Sequence, residues 1–272
     1  MDPKLSKRPM TAVVLAGDRN SEHELLKYTG ACCKAFIAVG REPMLLHVVR
    51  ALEQAKWVDR ILLSGPKKQQ LNRQPEVSAL VNGGKIGWYE PQATPSTSAY
   101  QVIQTLPEDT PILITTADLP FLDSELVDGF CAQSLTQDKD VTVGLAPYEC
   151  VKASFPQMKK TVLRFKNGHY CGCNLFAVTT RQGRQVVNGW RQVESQRKKP
   201  LRIVGLLGWR AITAYLLGFL SLEKALAALS QRMGVRIGYV ILPYANAAVD
   251  VDSIADYVMV EQKMARCNPR GI

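Results

Sequence analysis

Histidine is scarce in this chain of 272 residues, and its cysteines are irregularly spaced. There are three histidines and seven cysteines. The two close cysteine groups, Cys32-Cys33 and Cys171-Gly172-Cys173, lack the two-residue gap of zinc ribbons. An odd cysteine count in a long chain is also unlike the even disulfide framework of a small secreted domain. The sequence therefore argues against a zinc module and a disulfide scaffold, and it predicts a reducing compartment.

Long apolar runs are also missing. Residues 1–10 are polar and basic and lack the apolar stretch of a secretory signal, so we expect a cytoplasmic protein. Residues 201–229 are more apolar, but charged side chains interrupt them, and the apolar part at 211–220 is too short to span a bilayer. We expect packed helices there, with a membrane-facing surface as the alternative.

Acidic residues are outnumbered, at 24 against 34 lysines and arginines, which gives a net charge of +10. Such a charge suits an anionic partner: a phosphorylated small molecule, nucleic acid or an acidic lipid surface. The basic runs lack the interleaved aromatic residues of a base-stacking surface, so no nucleic-acid partner is expected. A solvated face is the plain explanation of the basic stretch at 181–202.

Strand-like and helix-like segments alternate along the first half of the chain. Apolar, β-branched runs predict buried strands at 11–16, 60–64, 86–89 and 111–116. Apolar residues at helical spacing predict helices at 44–54, 98–106 and 123–134. This alternation predicts βαβ units and a mostly parallel sheet, in which ligands bind beyond the carboxyl ends of the strands.

The second half is less regular. Strands are predicted at 140–146, 161–165, 174–178 and 235–242, helices across 184–231 and at 253–263, and polar loops at 18–33 and 67–85. We predict four parts. These are a polar tail at 1–10, a nucleotide-binding α/β core at 11–180, a helical insertion at 181–232, and a final strand and helix at 233–264 that complete the core.

The first predicted strand ends in Gly17 and opens a polar loop that contains Arg19 and extends to Lys34. Glycine allows backbone donors to come close to phosphates, and cationic side chains offset the phosphate charge. A strand that ends in glycine is also common as a simple turn. The loop alone therefore does not establish a nucleotide site.

Asp118 ends an apolar strand, where a carboxylate is costly to bury unless it is paired or bound to metal. A magnesium ion that bridges carboxylate and phosphate oxygens would satisfy it; a helix cap or a salt bridge is the alternative. Asp250 and Asp252 follow the late strand and point to one side if the segment is extended, so either could be a second metal ligand. Asp252 could instead cap the helix from Ser253.

Five motifs then occur in a characteristic order. They are VLAG at 14–17, KAFIAVGREPML at 34–45, DLPFL at 118–122, GCNLF at 172–176 and DVDSIAD at 250–256. Together they resemble the GT-A-like nucleotidyltransferases, the superfamily of the MobA-like NTP transferases and the sugar-phosphate nucleotidyltransferases. The resemblance implies a three-layer α/β/α sandwich with a mostly parallel, Rossmann-like sheet and a C-terminal helical elaboration.

The resemblance also implies a reaction in which a phosphate oxygen of a phosphorylated small-molecule acceptor attacks the α-phosphorus of an NTP and pyrophosphate leaves. Lys34 and Asp118 would be the catalytic residues, with Mg²⁺ as cofactor held by Asp118 and by Asp250 or Asp252. The nucleotide would lie against Leu15, Ala16, Gly17, Arg19 and Lys34.

Two further groups of residues are assigned by position in the same resemblance. Ser96 and Ser98 lie where such enzymes contact the base, although an N-cap by Ser96 or Thr97 also explains the segment. Lys160, Arg164 and Asn174 are candidates for binding the acceptor; an exposed strand with alternating lysines is the other explanation.

Asp18 departs from the family pattern, which commonly has a second glycine after Gly17, and Lys34 lies further downstream than usual. Either the loop takes a different path, with Asp18 facing the base, the ribose or the metal, or NTP binding has weakened. Two other functions stay open: a GT-A glycosyltransferase that uses a nucleotide-sugar, and a non-catalytic nucleotide-binding or scaffold protein that docks through 181–229.

Overall fold

The protein is described by a computed structural model, which covers residues 8–18, 24–189 and 209–267. The strands are β1 Met10–Leu15, β2 Ala38–Val39, β3 Glu42–Pro43, β4 Val58–Ser64, β5 Ile86–Tyr89, β6 Ile112–Thr116, β7 Val141–Pro147, β8 Leu163–Phe165, β9 Gly168–Val178 and β10 Ile237–Ile241. The helices are α1 Glu24–Thr29, α2 Met44–Gln54, α3 Lys68–Leu71, α4 Pro75–Asn82, α5 Pro95–Gln104, α6 Ser124–Thr136, α7 Tyr148–Ser154, α8 Arg181–Gly189, α9 Trp209–Leu216, α10 Leu222–Met233 and α11 Ile254–Cys267. Short 3-10 helices lie at Lys34–Phe36 and Ala245–Ala248.

One central sheet organises the chain, with strand order β10-β7-β9-β6-β1-β4-β5 and β8 paired to β9. The pairs β1/β4, β1/β6, β4/β5 and β7/β10 are parallel. Strand β9 runs antiparallel to both β6 and β7. The prediction of a mostly parallel sheet is therefore confirmed, and β9 is the strand that breaks the pattern.

Alternating side chains of β1 divide the core into two layers, as the two-residue period of a strand requires. Ala12 and Val14 belong to the cluster that includes Leu52 of α2 and Phe130 of α6. Val13 belongs instead to the cluster formed with α5 and α8. Helices thus cover both faces of the sheet, and the predicted three-layer α/β/α sandwich is confirmed.

Some segments predicted as loops or strands are helical. Helix α1 lies within 18–33, α3 and α4 lie within 67–85, and α7 occupies the start of the region predicted to hold only strand-like pieces. These helices have at most eight residues. Each buries only one or two apolar residues, such as Leu71 in α3 and Val77 in α4, so they leave little helical periodicity in the sequence.

Helix α5 begins at Pro95, three residues before the predicted start, because Thr94 caps it. The Thr94 Oγ1 accepts a hydrogen bond from the backbone N–H of Thr97 at 3.2 Å. The cap is therefore Thr94, and the sequence interpretation of Ser96 or Thr97 as the cap is wrong.

The predicted helical insertion is described at α8, α9 and α10, while residues 190–208 and the tail at 1–7 lie outside the described part of the chain. Strand β10 then joins the sheet beside β7, and α11 follows. The boundaries of the four predicted parts stay predictions. In the described part of the chain, none of the helices combines the length and the apolar character needed to cross a bilayer.

Candidate active site

The candidate site lies beyond the carboxyl ends of β1, β4, β5 and β6. Backbone hydrogen bonds continue from these strands into their loops: Ala16 N–H donates to Ser64 O at 2.8 Å, and Ala117 N–H donates to Leu15 O at 3.0 Å. In parallel sheets this edge holds the ligand crevice. The segment after β1 and Asp118 after β6 are therefore held side by side.

Lys34 lies between two carboxylates of this edge. Its Nζ donates to Asp118 Oδ2 at 2.5 Å and to Asp252 Oδ1 at 2.5 Å, and Thr116 Oγ1 donates to the other oxygen of Asp118 at 2.5 Å. The structure thus brings together three residues predicted from separate motifs. It also places Lys34 on two of the three carboxylates that the resemblance offers as magnesium ligands.

Asp18 holds the backbone of Lys34 in place. Both of its carboxylate oxygens accept the backbone N–H of Lys34, at 3.2 and 3.0 Å, where the 3-10 helix begins. An acidic side chain at the N-terminus of a helical turn satisfies donors that otherwise lack partners. The carboxylate of Asp18 is therefore bonded to the protein backbone at the start of this helical turn. The sequence interpretation, in which Asp18 faces the base, the ribose or the metal, did not include this placement.

Asp252 does not cap α11. The Ser253 Oγ accepts from the backbone N–H of Asp256 at 3.2 Å, while the Asp256 carboxylate accepts the backbone N–H of Ser253 at 2.9 Å. This reciprocal arrangement is the capping box, so the proposed cap by Asp252 is wrong. Buried Val249 and Val251 alternate with Asp250 and Asp252, as the predicted extended segment requires.

A second ion pair adjoins the first. Asp250 bonds through one oxygen to Lys160 Nζ, and through the other it accepts Asn174 Nδ2 at 3.2 Å. Asn174 has a positive φ of 51°, a conformation in which asparagine is one of the few tolerated residues. The structure thus places Lys160 and Asn174, two of the three candidates for binding the acceptor, on Asp250. The third, Arg164, is exposed, and its backbone N–H donates to Tyr215 Oη at 3.2 Å.

The electrostatics of the cluster follow from its burial and its excess of carboxylates. Burial alone would lower the pKa of Lys34, but the charges of Asp118 and Asp252 outweigh it and raise this pKa well above its ordinary value. The pKa of the Asp250 carboxyl is raised, chiefly by burial, although Lys160 opposes the shift. Lys34 therefore stays an ammonium ion at physiological pH.

A small pocket with a cavity volume of about 20 Å³ lies beside these charges. Its lining consists of Leu15, Gly17, Asp18, Ser64, Gln92, Ala93, Pro95 and Ser98. Three residues predicted to bind the nucleotide, Leu15, Gly17 and Ser98, therefore line the pocket. Ser96 is buried with its hydroxyl 3.0 Å from Thr94 Oγ1, and Ala16 is part of the core. Arg19 lies outside the described residues.

Sequence reasoning missed Ser64 and Gln92. Ser64 is fully buried, and its Oγ has no hydrogen-bond partner among the described residues. It ends β4 as Asp118 follows β6, so the same strand-end reasoning could have identified it. A larger groove of about 1060 Å³ is lined by residues such as Arg41, His47 and Phe121, but it contains none of the clustered lysines and carboxylates.

Comparison with protein families matches residues 12–202 to the MobA-like NTP transferase domain. Among solved structures, a hypothetical transferase from Thermus thermophilus is similar, with 26% identity, a TM-score of 0.73 and coverage of 92% of this chain and 99% of that chain. A search of curated proteins found no match.

Two more distant structures share the fold. A CMP:2-keto-3-deoxy-manno-octonic acid synthetase complexed with CTP is 14% identical, with a TM-score of 0.58 over 94% of this chain and 99% of that chain. A nucleotidyl transferase from Methanothermobacter is 15% identical, with a TM-score of 0.54 over 96% and 99% of the two chains.

Proposed function

The chain belongs to the family of MobA-like NTP transferase domains, and from that premise we propose that it transfers a nucleoside monophosphate from an NTP to a phosphorylated small-molecule acceptor, with release of pyrophosphate. The observation that carries the proposal is the convergence of Lys34, Asp118, Asp250 and Asp252 at the strand ends beside the small pocket. This arrangement places charges suited to phosphate groups beside a small pocket at the strand ends.

The donor set fits magnesium. Asp118 and Asp252 reach the same point from different parts of the chain, since both carboxylates bond to one ammonium nitrogen. In the described part of the chain there is no group of three or more His, Cys, Asp or Glu side chains arranged as a metal site. Mg²⁺ in phosphoryl-transfer sites takes one or two carboxylates and completes its shell with water and substrate phosphates, and Asp118 and Asp252 would supply those two carboxylates.

In the proposed reaction the protein acts by position and charge. Lys34 neutralises phosphate oxygens, and Lys160 with Asn174 receives the phosphate of the acceptor, close to Asp250. Asp118 and Asp252 would hold a magnesium ion, which would supply positive charge to offset the negative charge of the phosphate groups. The base would lie against the residues at the mouth of the small pocket, among them Leu15, Gln92 and Ser98.

Pyrophosphate release tests the proposal. We expect Mg²⁺-dependent release with one of the four NTPs and a pool of phosphorylated acceptors, and Asp118→Asn to lower the rate by about 100-fold or more, because metal charge stabilises the transition state by several kcal/mol. Asp59→Asn is the matched control, since Asp59 is exposed at the start of β4. Equal rates in the two variants would contradict the assignment of Asp118.

The alternative functions are separated by a thermal-shift panel of the NTPs and nucleotide-sugars, with and without Mg²⁺. A ligand that binds the native state raises the apparent stability. We expect an NTP to raise the melting temperature in the presence of Mg²⁺. Stabilisation by nucleotide-sugars alone would identify a glycosyltransferase, and no stabilisation by any nucleotide would favour the non-catalytic protein.

A further inference from the structure

Lys34 occupies the position between Asp118 and Asp252 that a divalent cation would take. Two oxygens that each lie 2.5 Å from one nitrogen are separated by at most twice that distance. Carboxylate oxygens bound to Mg²⁺ lie about 2.1 Å from the metal, so a small approach of the two carboxylates would let a metal ion take the place of the ammonium group. The ammonium group and a metal ion therefore compete for the same oxygens.

For a metal ion to replace the ammonium group, the side chain of Lys34 would have to move, while its backbone could stay in place. Its backbone is held by the two Asp18 hydrogen bonds, and the flanking Ala35 and Phe36 are buried in the core. The four-carbon stem of lysine is flexible and carries a compact charge, so the ammonium group can swing while the backbone stays in place.

The charge balance favours an exchange over simple addition. Asp118, Asp250 and Asp252 face two ammonium groups, those of Lys34 and Lys160. A divalent cation that entered with Lys34 still in place would meet an ammonium ion at close range. A bound triphosphate gives the Lys34 ammonium group other oxygens to contact. The loss of the contacts between Lys34 and the two carboxylates would therefore cost little free energy.

We propose that Lys34 is an exchangeable internal counter-ion, which neutralises Asp118 and Asp252 in the ligand-free protein and moves to phosphate oxygens when a nucleotide binds. Metal and nucleotide binding are then coupled through one side chain. The inference rests on the proposed function only for the identity of the phosphate ligand. Competition between Lys34 and a divalent cation occurs in the protein without nucleotide.

The test measures Mn²⁺ binding to the full chain in the absence of nucleotide, from the electron paramagnetic resonance signal of free Mn²⁺. We expect Lys34→Met to bind Mn²⁺ about tenfold more tightly than the unmodified protein, a coupling of ordinary size. Lys27→Met is the matched control: Lys27 lies exposed on nearby α1, and its loss changes the net charge equally. Binding by Lys34→Met that is no tighter than that of the unmodified protein would overturn the proposal.

A second measurement needs no variant, and it decides the matter if Lys34→Met does not fold. Lysine acylation followed by mass spectrometry should show slow modification of Lys34 in the metal-free protein and faster modification at saturating Mn²⁺, while the rate at Lys27 stays constant. An unchanged rate at Lys34 would overturn the proposal. Neither measurement involves turnover, so pyrophosphate release and this exchange can each fail independently.

Discussion

At the scale of single residues, two glycines allow the strand ends around the pocket to approach one another. A Cβ on Gly17 would lie 2.8 Å from Cβ of Pro91. A Cβ on Gly65 would lie 2.7 Å from the backbone nitrogen of Gly17, and Gly65 has a positive φ of 84°. The sequence predicts that Gly17 lets backbone donors approach phosphates. The structure adds that the close packing of the loops after β1, β4 and β5 also requires a glycine at this position.

We therefore expect Gly65→Ala to destabilise the protein by about 2 kcal/mol or more, through backbone strain and a clash that has no flexible side chain to absorb it. Gly129→Ala is the control, because a Cβ at Gly129 in the middle of α6 meets no atom within 4 Å. That change should be neutral or stabilise by up to about 1 kcal/mol. Urea denaturation measures both, and similar effects in the two variants would refute the packing argument.

At the scale of secondary-structure elements, a buried arginine joins α8 to the loop that follows α5. The Arg184 guanidinium donates to the carbonyl oxygens of Leu106 at 3.0 Å, Thr110 at 2.9 Å and Pro107. These carbonyl groups belong to the loop that follows α5, and a buried guanidinium needs such partners for its donors. The sequence interpretation treated the basic stretch from 181 as a solvated face, and for Arg184 that is wrong.

We expect Arg184→Met to lower the free energy of unfolding by about 1–3 kcal/mol, because it removes the guanidinium donor from the buried carbonyl group of Leu106 and from the half-buried one of Thr110. Arg181→Met is the comparison on the same helix: Arg181 is 73% exposed and pairs with Glu108 at 3.3 Å. Exposed pairs of this kind contribute about 0–1 kcal/mol. Chemical denaturation of the two variants should separate them clearly, and an equal loss would show that burial of Arg184 is not the cause.

At the scale of the whole molecule, Asp140 ties both ends of the predicted helical insertion to the sheet. Its carboxylate accepts Thr180 Oγ1 at 2.8 Å, just before α8, and the backbone N–H of Arg236 at 2.7 Å, just before β10. The guanidinium of Arg236 adds a bond to the same carboxylate at 3.0 Å. The chain that leaves the core and the chain that returns are thus held by one buried side chain.

These bonds make stability depend on pH. Hydrogen bonds from Arg236, together with that from Thr180, lower the pKa of Asp140 from its ordinary value to about 2 even though burial opposes the shift. The native state therefore binds this proton less readily than the unfolded chain does. The contribution of Asp140 should be fully present above about pH 4 and be lost as the pH falls towards 2.

We expect Asp140→Asn to cost about 2 kcal/mol at pH 7, with the difference from the unmodified protein shrinking between pH 4 and pH 2. Asp138→Asn removes the other partner of Arg236, but Asp138 is 88% exposed, so little change is expected at any pH. Thermal or urea unfolding at several pH values measures the difference. A difference between Asp140→Asn and the unmodified protein that does not vary with pH would contradict the role of the charge.

The sequence by itself determined most of the architecture, because the hydrophobic pattern of each long element is local. Helix α2 begins and ends as predicted, β5 matches the predicted strand, and the alternation of strands and helices predicted the parallel sheet correctly. Short helices such as α4 were missed, since a helix that buries one apolar residue has no detectable period. Strand-end position also identified Asp118 without any knowledge of its neighbours.

Only the tertiary structure decided what each candidate residue contacts. Lys34 bonds to Asp118 across 84 residues and to Asp252 across 218, and no local pattern specifies such pairings. The same holds for the carboxylate of Asp18, which supports the backbone of Lys34, and for Ser64, which no motif marked. Secondary structure follows from neighbours in sequence, whereas a charged site is assembled from distant strand ends, and its partners are set by which of those ends the folded sheet places side by side.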